Sequence, residues 1–262
     1  MSDRPWLDLP RNVKLVLSFD GTGYAGWQRQ KDLPTIQGTV EEKIGIMTRS
    51  VPVLHGAGRT DAGVHALAMV ASFRTDSHIP CDGLHRGLNS MLPDDIRILD
   101  VTDVPKEFHA RFSAVGKSYY YRVCVGADQL PTDRLYSAHV TGRFDQAAMG
   151  KCLEAIVGSH DFSSFEATGS RQKDIGGGKG AVRRIFSTAL VRETRDPSRF
   201  RFEITGDGFL RHMVRNIVGT LLSVGAGKIS VDDFTAIMAA RDRDVAGPTA
   251  PAKGLFLQEV LY

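Results

Sequence analysis

The strand-like segments of this chain lie close together in sequence, and this spacing constrains the fold more than any other feature. The predicted strands at 183–192 and 199–205, for example, are separated only by a turn around Asp196-Pro197-Ser198. Parallel neighbours need a crossover of about a dozen residues, so strands this close must pair antiparallel. Helical patterns occur among such strands in both halves. The sequence therefore predicts an α+β fold with mixed or antiparallel sheets flanked by helices.

The remaining elements follow from local periodicity and capping. The best helical pattern covers residues 209–222, where apolar side chains recur on one face. The helix at 231–240 has Ser230 as its cap and acidic residues in its first turn. We expect two domains, 1–112 and 113–262. The other predicted strands are 13–19, 51–54, 68–73, 96–101, 119–125 and 255–260, and the other predicted helices are 39–47, 82–91 and 145–157.

Composition excludes several classes of protein. No apolar run approaches the ~20 residues that span a bilayer, and the N-terminal residues lack the apolar stretch of a signal peptide. We therefore expect a cytoplasmic protein without a membrane segment. The 3 cysteines show no CxxC spacing, and the 8 histidines form no HxH or HExxH pattern. Neither a disulfide framework nor a metal site is expected.

Positive charge is concentrated in the third quarter of the chain. The net charge is +3, yet residues 166–215 alone carry a local +5, and acids outnumber bases in the rest. A basic face of this kind is expected to meet a polyanion such as RNA. On charge alone, a solvated basic surface is the simpler interpretation.

One glycine-rich loop contains a candidate catalytic carboxylate. Residues 55–66 read HGAGRTDAGVHA, which matches no phosphate-binding pattern of the GxxxxGK[ST] or GxGxxG type. Asp61 lies two residues from Arg59, and a nearby cation favours the ionised form of an aspartate. A positioned carboxylate suits a nucleophile, a base or the stabilisation of a sugar cation. An aspartate that caps a turn beside a surface arginine is the simpler alternative.

The residues from Gly58 to Ala66 resemble the GRTDxGVHA motif of TruA-type tRNA pseudouridine synthases, whose aspartate maps to Asp61. Further similarities follow in family order. Residues 117–122, KSYYYR, resemble the strand with the active-site tyrosine, here Tyr119. Residues 209–219 resemble the helix with an active-site arginine, here Arg215, and residues 252–257 resemble the closing strand, in which Leu255 would line the uracil pocket. Residues 166–180 depart from the family pattern.

The resemblance implies a cofactor-free isomerase that converts uridine to pseudouridine at positions 38, 39 and 40 of the tRNA anticodon stem–loop. It also implies a homodimer and an active-site cleft between two domains. Arg59 and Arg211 are candidate RNA contacts. Asp61 would act at the sugar as nucleophile or base, and Tyr119 would serve as base or relay at C5 of the uracil. Without the motif around it, Tyr119 would be read as a core aromatic, and His65 and His212 are expected to be structural or to contact RNA.

Two other functions account for part of these features. A non-catalytic RNA-binding protein would use the basic third quarter and leave the Asp61 loop without a role. A glycosidase-like hydrolase would use Asp61, but it should carry a second carboxylate as its acid, and none stands out near the motifs.

Overall fold

A computed structural model of the chain describes residues 9–126, 128–169, 180–194 and 196–262. The described residues form two compact units. One comprises the chain up to Val115 together with Phe256–Tyr262, and the other comprises Gly116–Leu255. The sequence-based division at 112/113 assigns the last strand to the second domain. In the structure, Phe256–Tyr262, which contain all of that strand except Leu255, are grouped with the first unit.

Ten strands and five helices are present in the described part of the chain. The strands are β1 (Arg11–Phe19), β2 (His55–Gly56), β3 (His65–Thr75), β4 (Ile96–Val104), β5 (Gly116–Val125), β6 (Ala138–Val140), β7 (Gly158–Asp161), β8 (Val182–Arg192), β9 (Arg199–Gly206) and β10 (Leu255–Leu261). The helices are α1 (Ile36–Thr48), α2 (Cys81–Met91), α3 (Gln146–Ala155), α4 (Met213–Gly225) and α5 (Val231–Ala240). The predicted α+β class is confirmed.

The first unit contains a mixed sheet in the order β4-β1-β3-β10. Strand β1 pairs antiparallel with both β3 and β4, and β10 adds to β3 in parallel. Every second residue of β1 points into the core, and Val13, Leu15 and Leu17 are fully buried. This period-two pattern places the apolar half of the strand on one face of the sheet.

Helix α1 corrects two sequence predictions. It begins at Ile36 and is capped by Thr35, whose side chain accepts a hydrogen bond from the Gly38 amide, so it starts three residues before the predicted helix. Residues 51–54 are not a strand. Side chains of α1 bind this backbone instead: Glu41 accepts from the Leu54 amide at 2.9 Å, and Gln37 donates to the Leu54 carbonyl at 3.0 Å. The backbone groups are therefore satisfied without a neighbouring strand.

The second unit contains the strand order β6-β5-β9-β8-β7. Strands β5, β9, β8 and β7 pair antiparallel, and the short β6 is parallel to β5. Sequence analysis missed β6 and β7. Helices α3 and α4 pack on this sheet, and α5 packs on α3. The buried side of β9 is apolar and consists of Phe200, Phe202 and Ile204.

Helix α4 begins four residues later than the apolar periodicity predicts. His212 has φ +62° and ψ 0°, in the left-handed region that non-glycine residues seldom adopt, and α4 starts at Met213. The Met213 amide donates to the Leu210 carbonyl in the preceding turn. Residues 209–211 therefore lie outside the helix. Arg211 precedes the helix and Arg215 lies in its first turn, so the two arginines do not share a helix face although their spacing of four residues within the predicted helix implied it.

Two further sequence-based expectations concern a membrane segment and the basic third quarter of the chain. Among the described residues, no helix is both long and apolar enough to cross a membrane. Arg171, Lys173 and Lys179, which contribute to the basic third quarter, lie outside the described residues.

Candidate active site

The Asp61 loop connects β2 to β3 in the first unit, and its backbone is anchored on the turn that follows β1. The Trp27 amide donates to the Thr60 carbonyl at 3.1 Å, and the Gly63 amide donates to the Tyr24 carbonyl at 3.4 Å. Asp61 therefore lies between two points of attachment. Backbone hydrogen bonds on either side limit the positions that its carboxylate can sample.

Close packing explains two glycines of this region. A Cβ at Gly21 would lie 2.0 Å from the Val64 carbonyl oxygen, and one at Gly26 would lie 2.6 Å from that of Thr60. Gly26 also has φ +96°. No side chain fits at either position, because the two backbones approach within van der Waals distance. Residues 19–28, the end of β1 and the turn after it, thus support the Asp61 loop.

The two charged residues of the loop differ in exposure. Asp61 is partly buried, and Arg59 is exposed. Among the described residues, no ion pair joins the Arg59 guanidinium to a carboxylate, although the sequence had suggested Arg59 as the cation next to Asp61. An exposed arginine on a rigid loop is suited to contact an external anion.

His65 is a structural residue in this unit. It is 1% exposed, and its ring stacks on Phe256 of β10 with centroids 4.5 Å apart. The Gly21 amide donates to its Nδ1 at 3.2 Å, and the Asp20 carboxylate lies 3.1 Å from the same atom. The imidazole thus joins the first residue of β3 to the turn after β1, close behind the Asp61 loop. Burial and several contacts of this kind are typical of a ring that stabilises the fold.

In the second unit, Tyr119 lies on the helix-covered face of the sheet. It is 7% exposed and pairs with Ile204 of β9. Its ring packs edge-on against Phe209, with centroids 5.0 Å apart and planes at 77°. Neighbouring Tyr120 points to the opposite face, where the Arg201 guanidinium lies 5.6 Å from its ring centroid. The two adjacent tyrosines therefore have separate environments.

Arg215 is held by residues 246–251, which we call the strap. The strap follows α5 and precedes β10. Arg215 Nε donates to the Ala250 carbonyl at 2.8 Å, and the Ala250 amide donates to the Arg215 carbonyl at 3.1 Å. The side chain uses its Nε in this bond, and a guanidinium carries further N–H donors on its two Nη atoms. A planar guanidinium fixed at Nε has a defined orientation.

Further hydrogen bonds attach the strap to α4 and β5. Thr249 Oγ1 donates to Asn216 Oδ1 at 2.6 Å, and the Gly247 amide donates to Thr220 Oγ1 at 3.0 Å. The Tyr121 hydroxyl donates to the Pro251 carbonyl at 2.7 Å, and burial raises the pKa of that hydroxyl above its usual range. Sequence analysis missed these contacts. Its only available signal was a Gly-Pro-Thr-Ala-Pro segment without helical or strand periodicity.

The other two candidate residues of the second unit, Leu255 and Arg211, differ in burial. Leu255 is 6% exposed and follows the 3-10 turn Ala252–Gly254. A Cβ at Gly254 would lie 2.5 Å from the Tyr121 ring, so this turn packs closely on β5. Arg211 is exposed in the turn before α4, and its carbonyl accepts from the Ala167 amide at 2.9 Å.

Across the described ranges, no group of three or more histidine, cysteine or carboxylate side chains is placed to hold a metal ion. Cys81, Cys124 and Cys152 form no disulfide. Cys152 is fully buried, and burial raises the pKa of its thiol to about 11. The thiol is therefore protonated and unreactive at neutral pH.

Comparison with protein families supports the resemblance seen in the motifs. Residues 15–113 and 153–262 match the family model described as tRNA pseudouridine synthase. The matched segments include the Asp61 loop, α4, the strap and β10. Residues 114–152, which contain β5 and Tyr119, lie between the two matched segments.

Individual relatives match over nearly the whole chain. "tRNA pseudouridine synthase A 1" of Desulfotalea psychrophila is 52% identical over 252 residues, which cover 96% of this chain and 100% of the relative. "tRNA pseudouridine synthase A" of Acetivibrio thermocellus is 46% identical with the same coverage of both chains. The protein with the same name in Clostridium acetobutylicum is 42% identical, again over 96% of this chain.

Proposed function

The chain belongs to the tRNA pseudouridine synthase family, and from this premise we propose that it isomerises uridine to pseudouridine at positions 38, 39 and 40 of the tRNA anticodon stem–loop. The observation that carries the proposal is Asp61, which lies in the family's motif on a loop anchored at both Thr60 and Gly63. The reaction breaks the N1–C1′ bond, turns the uracil over and joins C5 to C1′. It needs neither a redox partner nor a group donor, so no cofactor is expected.

Asp61 acts at the sugar in this proposal. Cleavage of the glycosidic bond develops positive charge at C1′, and a fixed carboxylate stabilises that charge or traps it as a covalent adduct. A base at the sugar is the alternative role. Each route requires the target nucleotide to leave the stack at a cost of a few kcal/mol. Arg59 is exposed on the same loop and is proposed to fill the vacated space or to hold the phosphate of the displaced nucleotide.

Tyr119, Arg215 and Leu255 act on the base. Once C5 is bonded to C1′, the proton on C5 must leave, and Tyr119 is the proposed base or relay. An unperturbed tyrosine has a pKa near 10, so it needs a nearby cation or a water to take part at neutral pH. Arg215, oriented by the Ala250 carbonyl, is the proposed counter-charge. Leu255 is buried at the start of β10 and is proposed to line the uracil pocket.

We further propose that the active site lies in a cleft between the two units and that the protein acts as a homodimer on tRNA, as the family resemblance implies. The dimer can be tested by measuring the mass of the protein in solution with and without tRNA. A monomer under both conditions would remove this part of the proposal.

Nucleoside analysis of tRNA after incubation with protein and buffer alone tests the proposed reaction. Pseudouridine at positions 38–40 supports it, and free uracil would indicate a glycosidase-like hydrolase. An unchanged nucleoside profile together with tight tRNA binding would indicate a non-catalytic RNA-binding protein. Because the isomerisation leaves the mass unchanged, nuclease fragments are first derivatised with a pseudouridine-specific reagent, and mass spectrometry then assigns the modified positions. A tRNA with cytidine at all three positions is the matched negative control.

A further inference from the structure

A groove in the second unit contains two arginines whose charges are not compensated by a described carboxylate. The groove has a volume of about 520 Å³ and lies between the turn before α4 and the strap. Arg211 and Arg243 both line it. Within the part of the chain that the structure describes, neither guanidinium forms an ion pair. The single carboxylate among the lining residues is that of the exposed Asp244.

Neutral acceptors hold the Arg243 guanidinium in place. One Nη donates to Asn216 Oδ1 at 3.3 Å and to Thr249 Oγ1 at 3.2 Å, and the other donates to the Ala246 carbonyl at 3.3 Å. These three bonds orient the group without neutralising it. A partly buried cation is costly without an opposing charge, and a guanidinium fork matches the geometry of a phosphate. The arrangement is therefore suited to bind an anion.

A second groove provides a contrast. It has a volume of about 470 Å³ and contains Arg122, Arg192 and Arg201. Here Arg122 pairs with Glu193 at 3.2 Å, and Arg201 pairs with Glu203 at 3.2 Å. Its positive charge is thus largely compensated within the protein. The number of arginines alone would favour this second groove as the anion site. Because two of them are paired with glutamates, the first groove is the better candidate.

We propose that the groove lined by Arg211 and Arg243 binds a backbone phosphate of the RNA substrate. The inference rests on the proposed function, because tRNA is the polyanion that the family acts on. Arg243 is the preoriented contact, and the exposed Arg211 supplies a second cation at the other side of the groove. Thr249 and Asn216 are positioning residues for Arg243. The groove thus binds the RNA backbone without reading its sequence.

Salt dependence of RNA binding tests this site. The logarithm of the binding constant falls with the logarithm of salt concentration by about 0.7 to 0.9 for each neutralised phosphate. The R211Q/R243Q double variant should reduce the slope by about that amount and weaken binding about tenfold or more. Anisotropy of a labelled anticodon stem–loop, with cytidine at positions 38–40, reports binding without turnover.

Two further variants separate a phosphate contact from general effects. Arg192→Gln removes one positive charge from the second groove and should leave the slope nearly unchanged. Arg243→Lys keeps the charge and should retain most of the slope, whereas a merely structural role would make it as harmful as Arg243→Gln. Thermal unfolding of each variant shows whether lost binding reflects lost fold. If R211Q/R243Q and R192Q give equal slopes, or if only unfolded variants lose binding, the inference is wrong.

Inorganic phosphate distinguishes RNA from a small free anion as the occupant. If the groove binds free phosphate, millimolar phosphate at constant ionic strength should raise the melting temperature of the wild type but not of R211Q/R243Q. A phosphate-dependent shift without any slope difference for RNA would overturn the proposal. Pseudouridine formation by the wild type is measured in parallel. If the wild type forms pseudouridine but R211Q/R243Q and R192Q give equal salt slopes, only the groove proposal is refuted. If the slopes differ but the wild type forms no pseudouridine, only the proposed function is refuted.

Discussion

Arg215 and Ala250 hold each other through two hydrogen bonds, one from the Arg215 side chain to the Ala250 carbonyl at 2.8 Å and one from the Ala250 amide to the Arg215 carbonyl at 3.1 Å. The first turn of α4 and the strap are thereby fixed to each other. The orientation of a charged side chain depends here on a segment 35 residues away in sequence. A mutation can therefore change the orientation of the Arg215 side chain while keeping its positive charge.

Arg215→Lys should lower the rate of pseudouridine formation by about 100-fold while preserving the fold. Lysine keeps the positive charge, but it cannot bind the Ala250 carbonyl and present two further donors in one plane. Single-turnover kinetics with excess enzyme measure the rate, and Arg192→Lys, at an exposed position on β8, is the matched control. A rate within a few-fold of the wild type would show that charge alone suffices at this position.

Tyr121→Phe should weaken the attachment of the strap in a pH-dependent way. Loss of the hydrogen bond to the Pro251 carbonyl should lower the free energy of unfolding by about 1 to 3 kcal/mol. Burial raises the pKa of this hydroxyl in the folded protein. Its stabilising effect is thus complete below the unfolded value of about 10 and declines as pH rises further.

Urea unfolding at several pH values between 8 and 11 checks this expectation. The difference between wild type and Tyr121→Phe should be constant up to about pH 10 and should then shrink. A difference that grows with pH would mean that the hydroxyl ionises more easily in the folded protein than in the unfolded chain.

Asp61→Asn should abolish pseudouridine formation, with a loss of at least about 100- to 1000-fold, because a fixed charge at the sugar is removed. Asparagine has nearly the same shape, so the backbone bonds at Thr60 and Gly63 should persist. Thermal unfolding and tRNA binding should therefore remain close to those of the wild type. Turnover near the normal rate would remove Asp61 from the mechanism.

Tyr119→Phe should reduce turnover by about 100-fold or more, the usual contribution of a positioned acid or base. Ring packing against Phe209 should survive, so stability should fall by no more than about 1 kcal/mol. With C5-deuterated uridine in the tRNA, slower proton removal should enlarge the isotope effect. Tyr120→Phe, on the opposite face of β5, is the control. If Tyr119→Phe turns over at a near-normal rate, as Tyr120→Phe is expected to do, Tyr119 is a core residue without a catalytic role.

The fold class was predictable because short connections and a capping sequence are local features. Helix α5, for example, lies at its predicted residues and has the predicted Ser230 cap, which forms a capping box with Asp233. The start of α4 was not predictable. Phe209 and Leu210 fit the apolar stripe, yet the left-handed backbone of His212 ends the pattern and Phe209 packs on Tyr119 from a turn. Tertiary packing overrides periodicity at that point.

The candidate site was only partly predictable for a similar reason. The motif located Asp61 within the sequence, but the anchoring of its loop on Trp27 and Tyr24 depends on contacts across more than 30 residues. The apolar residues 51–54 resemble a strand, and their backbone is instead bound by side chains of Gln37 and Glu41. Such long-range side-chain contacts leave no periodic signal in the sequence.

The parallel pairing of β10 with β3 also constrains the order in which the protein can fold during synthesis. His65 begins β3, directly after the Asp61 loop, and its partner Phe256 is synthesised 191 residues later. A nascent chain can form the β1–β3–β4 part of the sheet early, but the edge of β3 stays open until β10 leaves the ribosome. The loop that carries the proposed catalytic carboxylate therefore acquires its full support only after β10 has been synthesised.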